Sequence, residues 1–153
     1  MKPMDFTGDY LALRRDLGVI PIKRDVVLAT GPDAATFLQG QLSQDVAGLA
    51  VGASAWSLLL QPQGKIDAWL RVTRRGEDAF ALDVDGGYGA AVIARLNRFK
   101  LRTKCELEHL TDWRCLAVRG PAATQERAAE VVDRKSTRLN SSHVVTSRMP
   151  SSA

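Results

Sequence analysis

Asp67 is the side chain best placed to do chemistry in this 153-residue chain. It follows the corner Gly64-Lys65-Ile66, where a tight turn lets glycine take a positive φ and hands a carboxylate to the outgoing strand. Such a carboxylate accepts a hydrogen bond from a ligand N–H; the plain alternative is a surface aspartate paired with Lys65 or Arg71. Strand alternation puts Lys65, Asp67, Trp69 and Arg71 on one face and Ile66, Ala68, Leu70 and Val72 on the other. Trp69 is therefore expected beside Asp67, as a surface on which a flat ring stacks. Trp56 and Trp113 are further aromatic candidates, and for all three simple packing is the competing explanation. Upstream, Gln39, Gln41, Ser43, Gln44 and Asp45 crowd polar groups into one short segment that suits either the lining of a site or a solvated loop.

Other chemistries find little support. His109 has no partner at ligand spacing, so neither a metal nor a nucleophilic triad is assigned, and no residue is assigned a catalytic role. Cys105 and Cys115 lack close CxxC spacing and lie in apolar alternating runs, which predicts two buried free thiols. No phosphate-cradling GxxxxGKS run occurs.

The elements that must position these residues are mainly strands. A short opening helix with Tyr10, Leu11, Leu13 and Leu17 on one face ends at Gly18 and gives way to extended chain over 19–30, broken by Pro21 and charges. Pro32 and Asp33 open a second helix with Ala34, Phe37 and Leu38 facing the core, and Gly40 weakens its end. Residues 55–85 read as a three-stranded antiparallel meander with turns at Pro62-Gln63-Gly64 and at 75–78. A helix over 88–101 follows, amphipathic through Ala91, Ile93, Ala94, Leu96 and Leu101, and then two strands around a turn at Thr111-Asp112. Antiparallel strands with interspersed helices, without strict βαβ alternation, predict an α+β domain with one core and flanking helices.

Four pieces in this order and spacing, DAATFLQGQLSQDV, LLLQPQGKIDAWLRV, RLNRFKLRTKCEL and CLAVRGP, resemble the N-terminal folate-binding domain shared by YgfZ-type proteins and the aminomethyltransferase (T-protein) of glycine cleavage. The resemblance implies tetrahydrofolate as ligand. On it, Asp67, Trp69, Gly64 and Gln41 are the expected folate-binding residues, with a pterin or p-aminobenzoyl ring as the stacked group. Asp67 aligns with the first of two acids in the transferase hairpin, where one acid positions the reactive nitrogen of tetrahydrofolate; Ala68 stands where the second would be. The KGCYxGQE-like signature of the later YgfZ half is absent, so the resemblance implies the N-terminal part of a longer protein. It further implies a folate-dependent role in assembling or repairing iron-sulfur proteins, with no catalysis by this piece alone; a fragment of the aminomethyltransferase is the alternative.

Residues 133–143 read DRKSTRLNSSH and the chain ends TSRMPSSA, and both resemble a translated sequencing-library adapter. The expected organisation is thus a truncated folate-binding domain over 1–132 and an artefactual, disordered tail over 133–153. The tail holds Arg134, Lys135, Arg138 and Arg148 but only Asp133 among acids, so without it 17 basic residues face 16 acidic ones. That balance gives no electrostatic reason to expect nucleic acid or an anionic membrane as partner. Charges interrupt the N-terminus before a signal-peptide core forms, and no apolar run reaches the ~18 residues of a spanning helix, so a cytoplasmic protein is expected.

Overall fold

The computed structural model describes residues 6–124, 126, 127, 130 and 144–147. Helix α1 (Phe6–Arg15) precedes strands β1 (Gly18–Ile22) and β2 (Arg24–Thr30), which Lys23 separates. After α2 (Ala34–Gln39) come β3 (Ser54–Leu60), β4 (Ile66–Gly76) and β5 (Ala79–Asp85), then α3 (Gly89–Asn97), β6 (Glu106–His109), β7 (Arg114–Arg119) and β8 (Val144–Ser147). The fold is α+β with antiparallel sheets, as the strand and helix patterns predict. The chain divides into two compact units, residues 24–111 and the pair of flanking segments 1–23 with 112–153.

The 24–111 unit is a five-stranded antiparallel sheet in the order β3-β4-β5-β2-β6. One sheet face is apolar because alternate residues of β2, β4 and β5 (Val27 and Ala29; Ala68, Leu70 and Val72; Phe80, Leu82 and Val84) are apolar, and all are buried. Ala34, Phe37 and Leu38 of α2 join this core, as their spacing predicts. Each large side chain fully buried here contributes about 1.5–3 kcal/mol. For α3 the buried set is Gly89, Val92 and Leu96. Leu96 is buried and Ile93 packs against the core, as expected; Ala91 and Ala94, expected inside, are exposed, and Leu101 lies beyond the helix and is exposed.

The opposite face carries ions. Asp83 of β5 accepts from Arg71 Nε of β4 at 2.8 Å and from Arg24 Nε of β2 at 3.0 Å, all three side chains being at least nine-tenths buried. Trp56 and Trp69 stack nearby, ring centroids 4.6 Å apart.

In the other unit, β1 pairs antiparallel with β7, from Gly18 opposite Arg119 to Ile22 opposite Cys115. Strands β6 and β7, adjacent in sequence, thus join different sheets. Of the 133–153 segment, 144–147 are placed as β8, parallel to β7, and the remainder lies outside the described residues, as does most of 125–132. Cys105 and Cys115 are buried and form no disulfide with each other.

Candidate functional site

The β3–β4 hairpin turns where the glycine signal predicts. Gly64 has φ +82°, its N–H donates to Gln61 O at 2.8 Å, and Gln61 N–H donates to Lys65 O at 2.8 Å. A β-bulge then breaks the ladder: Leu59 faces Ala68, but Leu60 faces Ile66, which leaves Asp67 as the extra residue of β4.

That extra residue overturns the expected alternation at the start of β4. Ile66, assigned to one face with Ala68, Leu70 and Val72, is exposed where those three are buried, while Asp67 turns toward the cleft that Ala68 also lines. Trp69 stays on the other face, half exposed and stacked on Trp56. Asp67 and Trp69 are therefore not brought together, because a bulge shifts every side chain before it relative to those after it.

The cleft measures about 590 Å³ and lies between the hairpin and α3. Its walls include Gln61, Pro62 and Asp67 on the hairpin side and Tyr88, Arg95 and Phe99 on the helix side. A second cavity of about 360 Å³ adjoins it, lined by Gln41 and Ser43 together with Gln61, Pro62, Arg95 and Phe99. Gln41 thus lines the second cavity, and Gly64 contributes only the turn, since it lines neither cavity.

Both oxygens of Asp67 are engaged. Gln61 Nε2 donates to Oδ1 at 2.6 Å and Arg95 Nε donates to Oδ2 at 2.8 Å. The Gln61 hydrogen bond most of all, then the hydrogen bond and charge of Arg95 and the charge of Arg98, hold the carboxyl below its ordinary value against an opposing effect of partial desolvation. At neutral pH the group is an anion, and each oxygen has a lone pair left for a ligand N–H.

Two devices hold the walls in place. Asp25 of β2 accepts from the N–H of Gly87 and of Gly89 through Oδ2, both at 2.9 Å, and so anchors the start of α3 to the sheet. Gln39 Oε1 accepts from Val46 N at 2.7 Å and Ala47 N at 2.9 Å, while Ser43 and Leu58 exchange hydrogen bonds at 3.0 Å, which ties the Gln41 segment to β3.

Arg95, the side chain with most contacts in the site, is absent from the candidates drawn from sequence. A signal existed: Tyr88, Ala91, Arg95 and Phe99 recur at helical spacing along α3 and its two flanks, and all four line the cleft. Among the described residues no three His, Cys, Asp or Glu gather to hold a metal, and no helix is long and apolar enough to cross a membrane.

An antiparallel α+β domain with an ionised strand aspartate on a ligand-sized cleft is one class of small-molecule-binding domain. The profile of the GCVT N-terminal domain matches residues 7–149, and the chain belongs to this family. It is 29% identical over 128 residues to an aminomethyltransferase of Thermus thermophilus, covering 80% of this chain and 37% of that protein. An uncharacterized protein of Haemophilus influenzae is 30% identical over 113 residues, covering 72% of this chain and 40% of its own length. The crystal structure of the glycine cleavage system aminomethyltransferase T from Bartonella henselae superimposes with a TM-score of 0.68 at 30% identity, over 84% of this chain and 34% of that one. The chain spans about two fifths or less of the length of these relatives.

Proposed function

We propose that this domain binds a reduced folate, tetrahydrofolate, with Asp67 accepting a hydrogen bond from a ligand N–H. The observation that carries the reading is Asp67 itself, ionised, fixed through both oxygens and set in the wall of a 590 Å³ cleft in a GCVT-family domain. The stacked ring of the ligand meets Phe99 and Tyr88, which line that cleft, in place of Trp69. In this reading the protein serves iron-sulfur proteins in the cytoplasm through its bound folate.

A second reading, a piece of an aminomethyltransferase, is favoured by the names of the Thermus and Bartonella relatives. Against it stands Ala68, buried among core side chains beside Asp67, where a paired acid would supply a second carboxylate. One aspartate can hold a ligand nitrogen; general acid–base work that shares two carboxylates lacks its second member.

Calorimetric titration with tetrahydrofolate tests the proposal. Asp67→Asn keeps the shape but exchanges an acceptor for a donor and removes the charge, and affinity should fall about tenfold or more. Asp45→Asn serves as control, since Asp45 accepts from Gly48 N outside both cavities. Unchanged affinity in a folded Asp67→Asn variant removes Asp67 from the site; absence of binding by the unaltered chain removes the folate reading.

A further inference from the structure

We propose that Arg95 is the positioning residue of this site: one guanidinium fixes Asp67 and Gln41 in their working orientations and forms the partition between the two cavities. The ligand it prepares for is taken from the folate reading, whereas the clamp rests on geometry alone.

Three chain segments converge on this side chain. Nε donates to Asp67 Oδ2 at the β4 bulge, Nη2 donates to the Leu60 carbonyl at the end of β3 at 2.8 Å, and Nη1 lies 3.5 Å from Gln41 Oε1 beyond α2. The guanidinium also sits over Phe99, 4.1 Å from the ring centroid. A planar group with donors in fixed directions can serve three acceptors at once, and a lysine ammonium offers no such fork. The Arg95 side chain is 13% exposed, so little water competes for its donors.

Consequences follow for each acceptor. With Arg95 on Oδ2 and Gln61 on Oδ1, rotation of the Asp67 carboxylate would break two short hydrogen bonds, and its remaining lone pairs are held ready for an N–H donor. With Arg95 on Oε1, the Gln41 amide has its orientation set, and its NH₂ is left as the donor of the second cavity. Because Gln61, Pro62, Arg95 and Phe99 bound both cavities, one elongated ligand crosses this partition. Its N–H-bearing end meets Asp67 and its acceptor-bearing end meets Gln41. That is the chemical class of a ring system joined to a carbonyl- or carboxylate-bearing tail.

The test uses the full chain with Arg95→Gln and Arg95→Lys. Carbon-detected NMR of the Asp67 carboxyl needs no ligand: in Arg95→Gln its titration midpoint should rise toward the ordinary aspartate value, and in Arg95→Lys it should rise less. Calorimetry with tetrahydrofolate should show about tenfold weaker binding in Arg95→Gln at neutral pH, with the acid-side loss of affinity displaced to higher pH. A wild-type Asp67 titration in folded Arg95→Gln overturns the proposal, as does a wild-type affinity and pH profile. If Arg95→Gln fails to fold, Arg95→Lys decides, and wild-type titration and affinity in that variant overturn it equally. A raised Asp67 midpoint in a protein that binds no folate upholds the clamp and sinks the folate reading.

Discussion

Gly89 shows how one missing side chain sets the geometry of the site. A Cβ there would lie 2.9 Å from Asp25 Cβ and 2.7 Å from His109 Nε2, so alanine must push α3 away from β2. We expect Gly89→Ala to cost about 1–3 kcal/mol, the usual range for overpacking, and to weaken folate binding because Arg95 rides on the displaced helix. Thermal unfolding and calorimetry would measure the two effects. Asp67 supplies a prediction in pH. Its folded pKa is depressed, so its contribution to stability is present above the unfolded value and is lost as pH falls through the folded one. Unfolding temperature should therefore decline below about pH 4, and Asp67→Asn should flatten part of that decline. An unchanged slope in the variant would show that Asp67 does not contribute. The turn chemistry of Gly64 and the carboxylate after it were legible in the sequence, since both are local. Of the two partners that hold Asp67, Gln61 lies in the same hairpin, six residues away. Arg95 comes from a helix 28 residues away, and its helical spacing with Tyr88 and Ala91 does not say which strand it reaches.

At the scale of elements, the meander 54–85 and both helices of the 24–111 unit follow from alternation and helical spacing, which depend on near neighbours. What alternation could not give was the bulge at Asp67. A single extra residue leaves hydrophobicity nearly unchanged yet turns Ile66 outward and separates Asp67 from Trp69. The destination of β6 and β7 was equally hidden, because pairing partners are fixed by long-range packing and the turn between them looks like any other. The ion group of Arg24, Asp83 and Arg71 links β2, β5 and β4 on the face away from the apolar core. Removing its shared anion leaves two buried guanidinium groups without that carboxylate, and Asp83→Leu should destabilise by about 3–5 kcal/mol. Chemical denaturation would measure the loss, and a change under 1 kcal/mol would show that the triad is easily replaced.

Taken as a whole, the chain is one continuous unit carried between two segments of another. All of the main core cluster belongs to 24–111, so that span expressed alone should unfold cooperatively and keep its sheet, read by circular dichroism and amide NMR. A collapsed span without dispersed amide resonances would show that the flanking segments are required. The flanking unit begins its sheet by closing residues 18–22 onto 115–119, a long loop whose closure costs little more than a loop half its length. The 24–111 span begins in β2 and ends just after β6, and these neighbours run antiparallel from Val27 opposite His109 to Thr30 opposite Glu106, with Leu110 N donating to Val26 O at 2.9 Å. Tension drawn outward through Arg24 and Thr111 therefore loads the hydrogen-bonded rungs of β2 and β6 one after another, as a zipper is opened, and not together in shear. Mechanically, the domain's weak seam is β6, which should part at low force, while the β3–β4 hairpin that carries Asp67 stands on the far side of the sheet from the pull.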